Sequence, residues 1–115
     1  MLLSYNIIDM VLLIEDLLTI QNLIEKNTYV LIDFTASWCG PCKRIGPIFE
    51  KLSPKYSNVS CVKVDVDCVE TKQLGQLCKV RSMPTFILVK EGAIIEQFSG
   101  ASEKDLVRLL QLTNN

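Results

Sequence analysis

The sequence predicts an α/β domain built on a central mixed parallel/antiparallel sheet with helices on both faces, and three observations carry that reading. Residues 28–35 are continuously apolar apart from Asp33, the pattern of a strand covered on both sides. Residues 60–66 alternate as Cys61-Val62-Lys63-Val64-Asp65-Val66, a second strand, and the helical pattern between the two makes a β-α-β unit with parallel strands. Thr85 to Lys90 and Ala93 to Phe98 are separated only by Glu91-Gly92 and read as a hairpin, which adds antiparallel strands at one edge of a parallel middle.

The remaining elements follow in order. At 115 residues and 49% hydrophobic content the chain has enough material for one core and too little for two. A first strand is expected near Val11 to Ile14, then a helix from Asp16 to Lys26 with Leu17, Ile20 and Ile24 on one face. The first nine residues read as an appendage, giving an N-terminal extension at 1–9 and a single domain at 10–115. Translation from Met10 is a hypothesis that an intact mass including Met1 to Asp9 would remove. A helix starting near Cys39 buries Ile45, Ile48, Phe49 and Leu52 and exposes Lys43, Arg44, Glu50 and Lys51; Pro47 inside it predicts a kink rather than a break. Leu74, Leu77 and Cys78 suggest a short helix over 69–79. Ser102 with Asp105 three residues on gives a capping signal ahead of Leu106, Val107, Leu109 and Leu110, so the last element is a helix.

Composition removes several functions. Twelve basic residues against thirteen acidic ones leave no electrostatic footprint for nucleic acid or an anionic membrane. The absence of histidine excludes Cys–His nucleophile pairs and Cys2His2 zinc sites within the chain. Five cysteines cannot all pair within one chain, which fits a reducing compartment. The apolar N-terminus lacks the basic start of a signal peptide and is interrupted by Asn6, Asp9, Glu15 and Asp16, and no apolar run reaches bilayer length. A cytoplasmic, soluble chain is expected.

The chemistry concentrates in Trp38-Cys39-Gly40-Pro41-Cys42, directly after the first buried strand. A sulfur at a helix N-terminus sits among unsatisfied backbone N–H groups that favour an anion, which lowers the Cys39 thiol pKa and makes it the nucleophile. Cys42, three residues on, projects from the same face, so a short disulfide ring can open and close. Pro41 suits the first helical turn, and Gly40 lets another backbone come close. A structural disulfide or half a zinc knuckle is the plainer alternative, but Cys61, Cys68 and Cys78 offer no second Cys-x2-Cys spacing. Cys61 and Cys78 read as inert packing, and Cys68 as an exposed thiol after a strand. Asp33, a carboxylate in an apolar strand, is expected to carry a raised pKa; an Asp merely hydrogen-bonded at a strand end is the bland reading.

The segments DFTASWCGPCK at 33–43, VDVD at 64–67, SMPTF at 82–86 and FSGAS at 98–102 resemble the thioredoxin family, in the order that family uses. The resemblance runs from about residue 10 onward and implies the thioredoxin fold. It implies that Asp33 is the general base for the resolving thiol Cys42, that Lys63 sits near Asp33 and modulates it, and that Met83-Pro84 is a cis-proline packed on the disulfide. It further implies that Trp38, Gly100 and Ala101 complete an apolar rim around Cys39, forming with Gly40, Pro41, Met83 and Pro84 the substrate groove. The implied function is a protein-disulfide reductase and electron carrier in cell redox homeostasis, monomeric and without a bound cofactor. Its partners would be disulfide-containing client proteins and a separate thioredoxin reductase, since no nucleotide or flavin motif is present. Ser82 departs from members that carry a further Cys there. Two other classes remain open: a secretory isomerase or oxidase, which tends to have His where Pro41 stands, and an interaction subunit whose cysteines are incidental.

Overall fold

Strand β2 (Tyr29–Thr35) holds the centre of a five-stranded sheet, and six of its seven residues are buried, as its apolar run requires. Residues 11–114 are described in the computed structural model; the expected extension and the alternative start at Met10 lie outside them. On one side β2 pairs in parallel with β3 (Val59–Asp65), which pairs in parallel with β1 (Leu12–Leu13). On the other side it pairs antiparallel with β4 (Thr85–Lys90), which continues into β5 (Ala93–Ser99). The strand order is thus β1-β3-β2-β4-β5, and the parallel half runs from the centre out to one edge rather than being confined to the middle. The first strand joins outside β3 because helix α1 (Leu17–Lys26) carries the chain from β1 over to β2.

Period-two alternation along β2 sorts the core. Tyr29 and Leu31 face helices α2 (Gly40–Leu52) and α4 (Glu103–Gln111), packing with Ile45, Phe49, Leu106 and Leu110. Val30, Ile32 and Phe34 face the other way and pack with Ile20 of α1 and with Val62 and Val64. Phe86 anchors the α2/α4 side, edge-on to Phe49 at 5.3 Å between ring centres and stacked on Phe98 at 5.0 Å. Such pairs add roughly 0.5–1.5 kcal/mol each beyond the area they bury. The same alternation puts Asp33 on the α2 side, where the reactive turn is.

The helix ends follow their local chemistry. Asp16 caps α1 by accepting from the Thr19 N–H at 2.7 Å, and Ser102 caps α4 by accepting from the Asp105 N–H at 3.1 Å. Pro47 lies inside α2 without interrupting it. The hairpin turn has φ of 51° at Glu91 and 85° at Gly92, the two positive values that a tight two-residue turn needs. Helix α3 covers only Lys72–Leu77, not 69–79. Turns take up the preceding residues: Cys68 N–H donates to the Asp65 carbonyl, and the fully buried Thr71 donates its hydroxyl to the same carbonyl at 3.2 Å. Leu74 packs on the sheet, whereas Leu77 is 71% exposed, since six residues give only one buried stripe.

Candidate functional site

Strand β2 ends at Thr35, and the following loop delivers Cys39 to the N-cap of α2 with an extended backbone, φ −89° and ψ 112°. Cys39 and Cys42 are disulfide-bonded, their Cα atoms 5.3 Å apart. The Cys42 N–H donates to Cys39 Sγ at 3.2 Å, so the sulfur takes the place that a Ser or Asp side chain occupies at ordinary helix starts. This arrangement stabilises negative charge on Sγ once the disulfide opens. Ala36, Val66 and Met83 pack around the pair.

Cys39 Sγ lies 3.4 Å from the Met83 carbonyl oxygen, and the Met83–Pro84 peptide is cis. The Pro84 carbonyl accepts from the Gly100 N–H at 2.9 Å, which ties the loop after β5 to the redox turn. Gly100 has φ 106°, a backbone conformation that glycine adopts without a Cβ penalty. Ala101, half-buried, packs against the α2/α4 core beneath that loop. Trp38 is 65% exposed, its Nε1–H donating to Asp67 Oδ2 at 2.7 Å. Pro41 is exposed, and a Cβ at Gly40 would meet nothing within 4 Å, so the flank beside Cys39 is open.

Asp33 is 1% exposed, and its Oδ1 has no hydrogen-bond partner. Burial pushes its carboxyl up from 3.8 to about 7, with the Lys63 ammonium opposing the rise. Asp33 and Lys63 are direct neighbours in the β2/β3 register. Lys63 Nζ lies 2.7 Å from Glu50 Oε2, spanning from the sheet to α2. A groove of about 380 Å³ runs along this side, lined by Cys42, Gly46, Glu50 and Lys63 among others. At Gly46 an added Cβ would stand 3.8 Å from Lys63 Nζ, an ordinary contact distance, so the ammonium lies directly against this turn of α2.

Other cysteines are held apart from this chemistry. Cys61 packs against the α2/α4 core, and burial pushes its thiol up to about 12. Burial also raises Cys78. Cys68, half-buried, has its Sγ 3.4 Å from Glu70 Oε1. Among the described residues no group of three or more His, Cys, Asp or Glu is placed to hold a metal ion, and no helix is long and apolar enough to cross a membrane.

The structure brings Cys39, Cys42 and Met83 together at one turn, with Trp38 and Pro84 adjoining them in the chain, and sets Asp33 and Lys63 side by side within the sheet. Sequence reasoning missed Glu50, the partner of Lys63, and Asp67, the partner of Trp38. Glu50 follows Cys42 by eight residues, which returns it to the same helix face. Asp67 ends the VDVD run, but its reach to Trp38 depends on a loop no local rule fixes.

What this turn can do is exchange its own disulfide for another protein's, the chemistry of a dithiol–disulfide oxidoreductase. The thioredoxin family model matches residues 16–112. A thioredoxin of Ictalurus punctatus is 51% identical over 79 residues, spanning 67% of this chain and 72% of the relative. An H-type thioredoxin of Picea mariana is 44% identical over 89 residues, 77% of this chain and 70% of its own length. Among solved structures, Malassezia sympodialis thioredoxin matches with a TM-score of 0.83 at 38% identity, covering 91% of each chain. Mitochondrial thioredoxin 3 of Saccharomyces cerevisiae matches with a TM-score of 0.80 at 39% identity over 88% of this chain and 93% of that one. The chain belongs to the thioredoxin family and is a protein-disulfide oxidoreductase, acting on disulfide clients and recycled by a reductase as that family is.

Proposed function

We propose that Cys39 is the attacking thiolate, Cys42 the resolving thiol and Asp33 the base that takes the Cys42 proton through water. The Cys39 thiolate attacks a client disulfide, and the displaced client sulfur leaves as a thiolate that picks up a proton. Cys42, once deprotonated by Asp33, attacks Cys39 Sγ and releases the second client sulfur. Two electrons pass to the client, and the chain is left with the Cys39–Cys42 disulfide. Lys63 modulates Asp33 by its charge. Trp38, Gly40, Pro41, Met83, Pro84, Gly100 and Ala101 line the client groove, where the Met83 backbone pairs with an extended client strand. The single observation that carries this reading is the disulfide capped on the α2 N-terminus, with a backbone N–H on Cys39 Sγ and, on the strand leading into that turn, a buried carboxyl whose Oδ1 has no partner.

The same reading makes residues 10–115 one domain preceded by an extension at 1–9. It also makes the chain a monomeric electron carrier of the cytoplasm, drawing electrons from a thioredoxin reductase. The test is the reduction potential of the pair, titrated in dithiol buffers and followed by Trp38 fluorescence. A value near about −270 mV supports the reductase, whereas one of about −180 to −120 mV moves the chain to the isomerase or oxidase class. Exchanging both cysteines for Ser separates the binding-subunit alternative: cellular function that survives the double change rules the reductase out.

A further inference from the structure

A second concavity adjoins the redox turn. It holds about 190 Å³ and is lined by Val66, Gly75, Val80 and Met83, with Lys72 and Arg81 on its wall. Val66 and Met83 are also the two side chains that pack from outside on Cys39 and Cys42. One apolar floor therefore serves both the disulfide and this pocket. The backbone that shapes it is a left-handed residue, Lys79 at φ 58°, after which the Val80 N–H returns to the Gly75 carbonyl at 2.9 Å. That return brings Arg81 onto the same wall as Lys72, nine positions earlier in the chain.

The charge here is not a reflection of composition, because the whole chain carries a net charge of −1. Among the described residues neither Lys72 nor Arg81 forms an ion pair; the salt bridges there join Lys63 to Glu50 and Arg108 to Glu96 and Asp105. No acidic residue lines the concavity, and Asp67 and Glu70, which precede it in the chain, contact the Trp38 indole and the Cys68 thiol rather than either cation. An apolar floor with two uncompensated cations suits a short aliphatic stem ending in a carboxylate, and a guanidinium adds paired donors for it.

We propose that this pocket is a client subsite that receives an Asp or Glu side chain lying close in sequence to the disulfide being reduced. The inference rests on the reductase reading and names its preferred client. A client strand paired along Met83 alternates its side chains, so residues on one side of the reacting cysteine fall toward Lys72 and Arg81. Exposed ion pairs are each worth little, so two of them give a preference of about 3- to 10-fold.

The experiment compares kcat/KM of the full chain, recycled by a chemical dithiol, on two synthetic disulfide peptides that differ only in Glu or Gln beside one cysteine. The expected result is a preference for the Glu peptide at low salt that shrinks as salt rises, and that reverses for a matched Lys peptide in the double variant K72E/R81E. Equal rates for the Glu and Gln peptides at low salt, or a preference that salt leaves untouched, would overturn the subsite. Because the salt series uses the unaltered chain, the outcome does not depend on the variant folding. Failure of the chain to speed reduction of either peptide beyond the rate of the dithiol alone would instead remove the reductase reading itself, so the two failures are distinct.

Discussion

Cys39 and Cys61 are the same side chain in one small protein, and their surroundings give them opposite chemistry. Both pack against apolar neighbours, yet Cys39 receives a backbone N–H on its sulfur at a helix N-terminus, while Cys61, half-buried in mid-strand, packs against the α2/α4 core. Burial alone pushes Cys61 up to about 12. A backbone N–H aimed at a sulfur works against that penalty, because an anion there finds a fixed partner in place of water. The difference teaches that reactivity belongs to the turn rather than to the thiol.

The sharpest way to break that contrast is alkylation of the reduced protein. At pH 7 iodoacetamide should label Cys39 first, and Cys61 should react about 10³-fold more slowly than the same residue in the unfolded chain. Peptide mapping by mass spectrometry reads both rates, and comparable labelling would dissolve the distinction.

Asp33 carries the contrast to a carboxyl group, since it too is buried and its Oδ1 has no hydrogen-bond partner. Replacing it in Asp33→Asn should lower turnover on a protein disulfide by on the order of 10²-fold at neutral pH and flatten the pH profile near about 7, the low end of what a general base contributes. Unchanged turnover would leave Asp33 with a structural role only. Stability should move the other way. The folded Asp33 pKa, about 7, exceeds the ordinary 3.8, so the native state binds more protons between those values. Unfolding free energy therefore falls as pH rises from about 4 to about 7 and levels off above. Asp33→Asn should remove that slope and stabilise the protein at pH 8 by about 2–4 kcal/mol, measured by urea titration.

Smaller effects refine the picture. Lys63→Gln removes the charge that opposes the Asp33 rise, so the midpoint of the pH–rate profile should move further up and turnover at pH 7 fall by about 2- to 5-fold. Asp67→Ala, which frees the Trp38 indole, should raise the KM for a protein client by no more than about 3-fold and redden Trp38 fluorescence. A larger loss would make the Trp38–Asp67 bond part of client recognition rather than a positioning contact.

Much of this was legible in the chain because the strongest signals are local. The apolar run around Asp33, the two-residue turn at Glu91-Gly92 and the Ser102 cap each determine their own element, and the structure has them within a residue or two. Cys39 and Cys42 were legible for the same reason, being three residues apart on one helix. What was not legible is long-range. That Glu50 would capture Lys63, and that the parallel half would reach an edge, depend on how α2 lies across β3 and where β1 docks. The end of α3 was misjudged because Leu77 has the right spacing for a buried stripe, whereas the turns before Thr71 leave the helix too short to use it.

The buried Asp33 also governs how the whole molecule exchanges protons with its surroundings. With no histidine in the chain and the Cys39–Cys42 pair closed, ordinary carboxylates, lysines and arginines are silent between about pH 6 and 8, and the buried Asp33 carboxyl adds a titration there. Calorimetry in buffers of different ionisation heat would therefore report the state of the active site as bulk proton uptake, without a label and without a substrate.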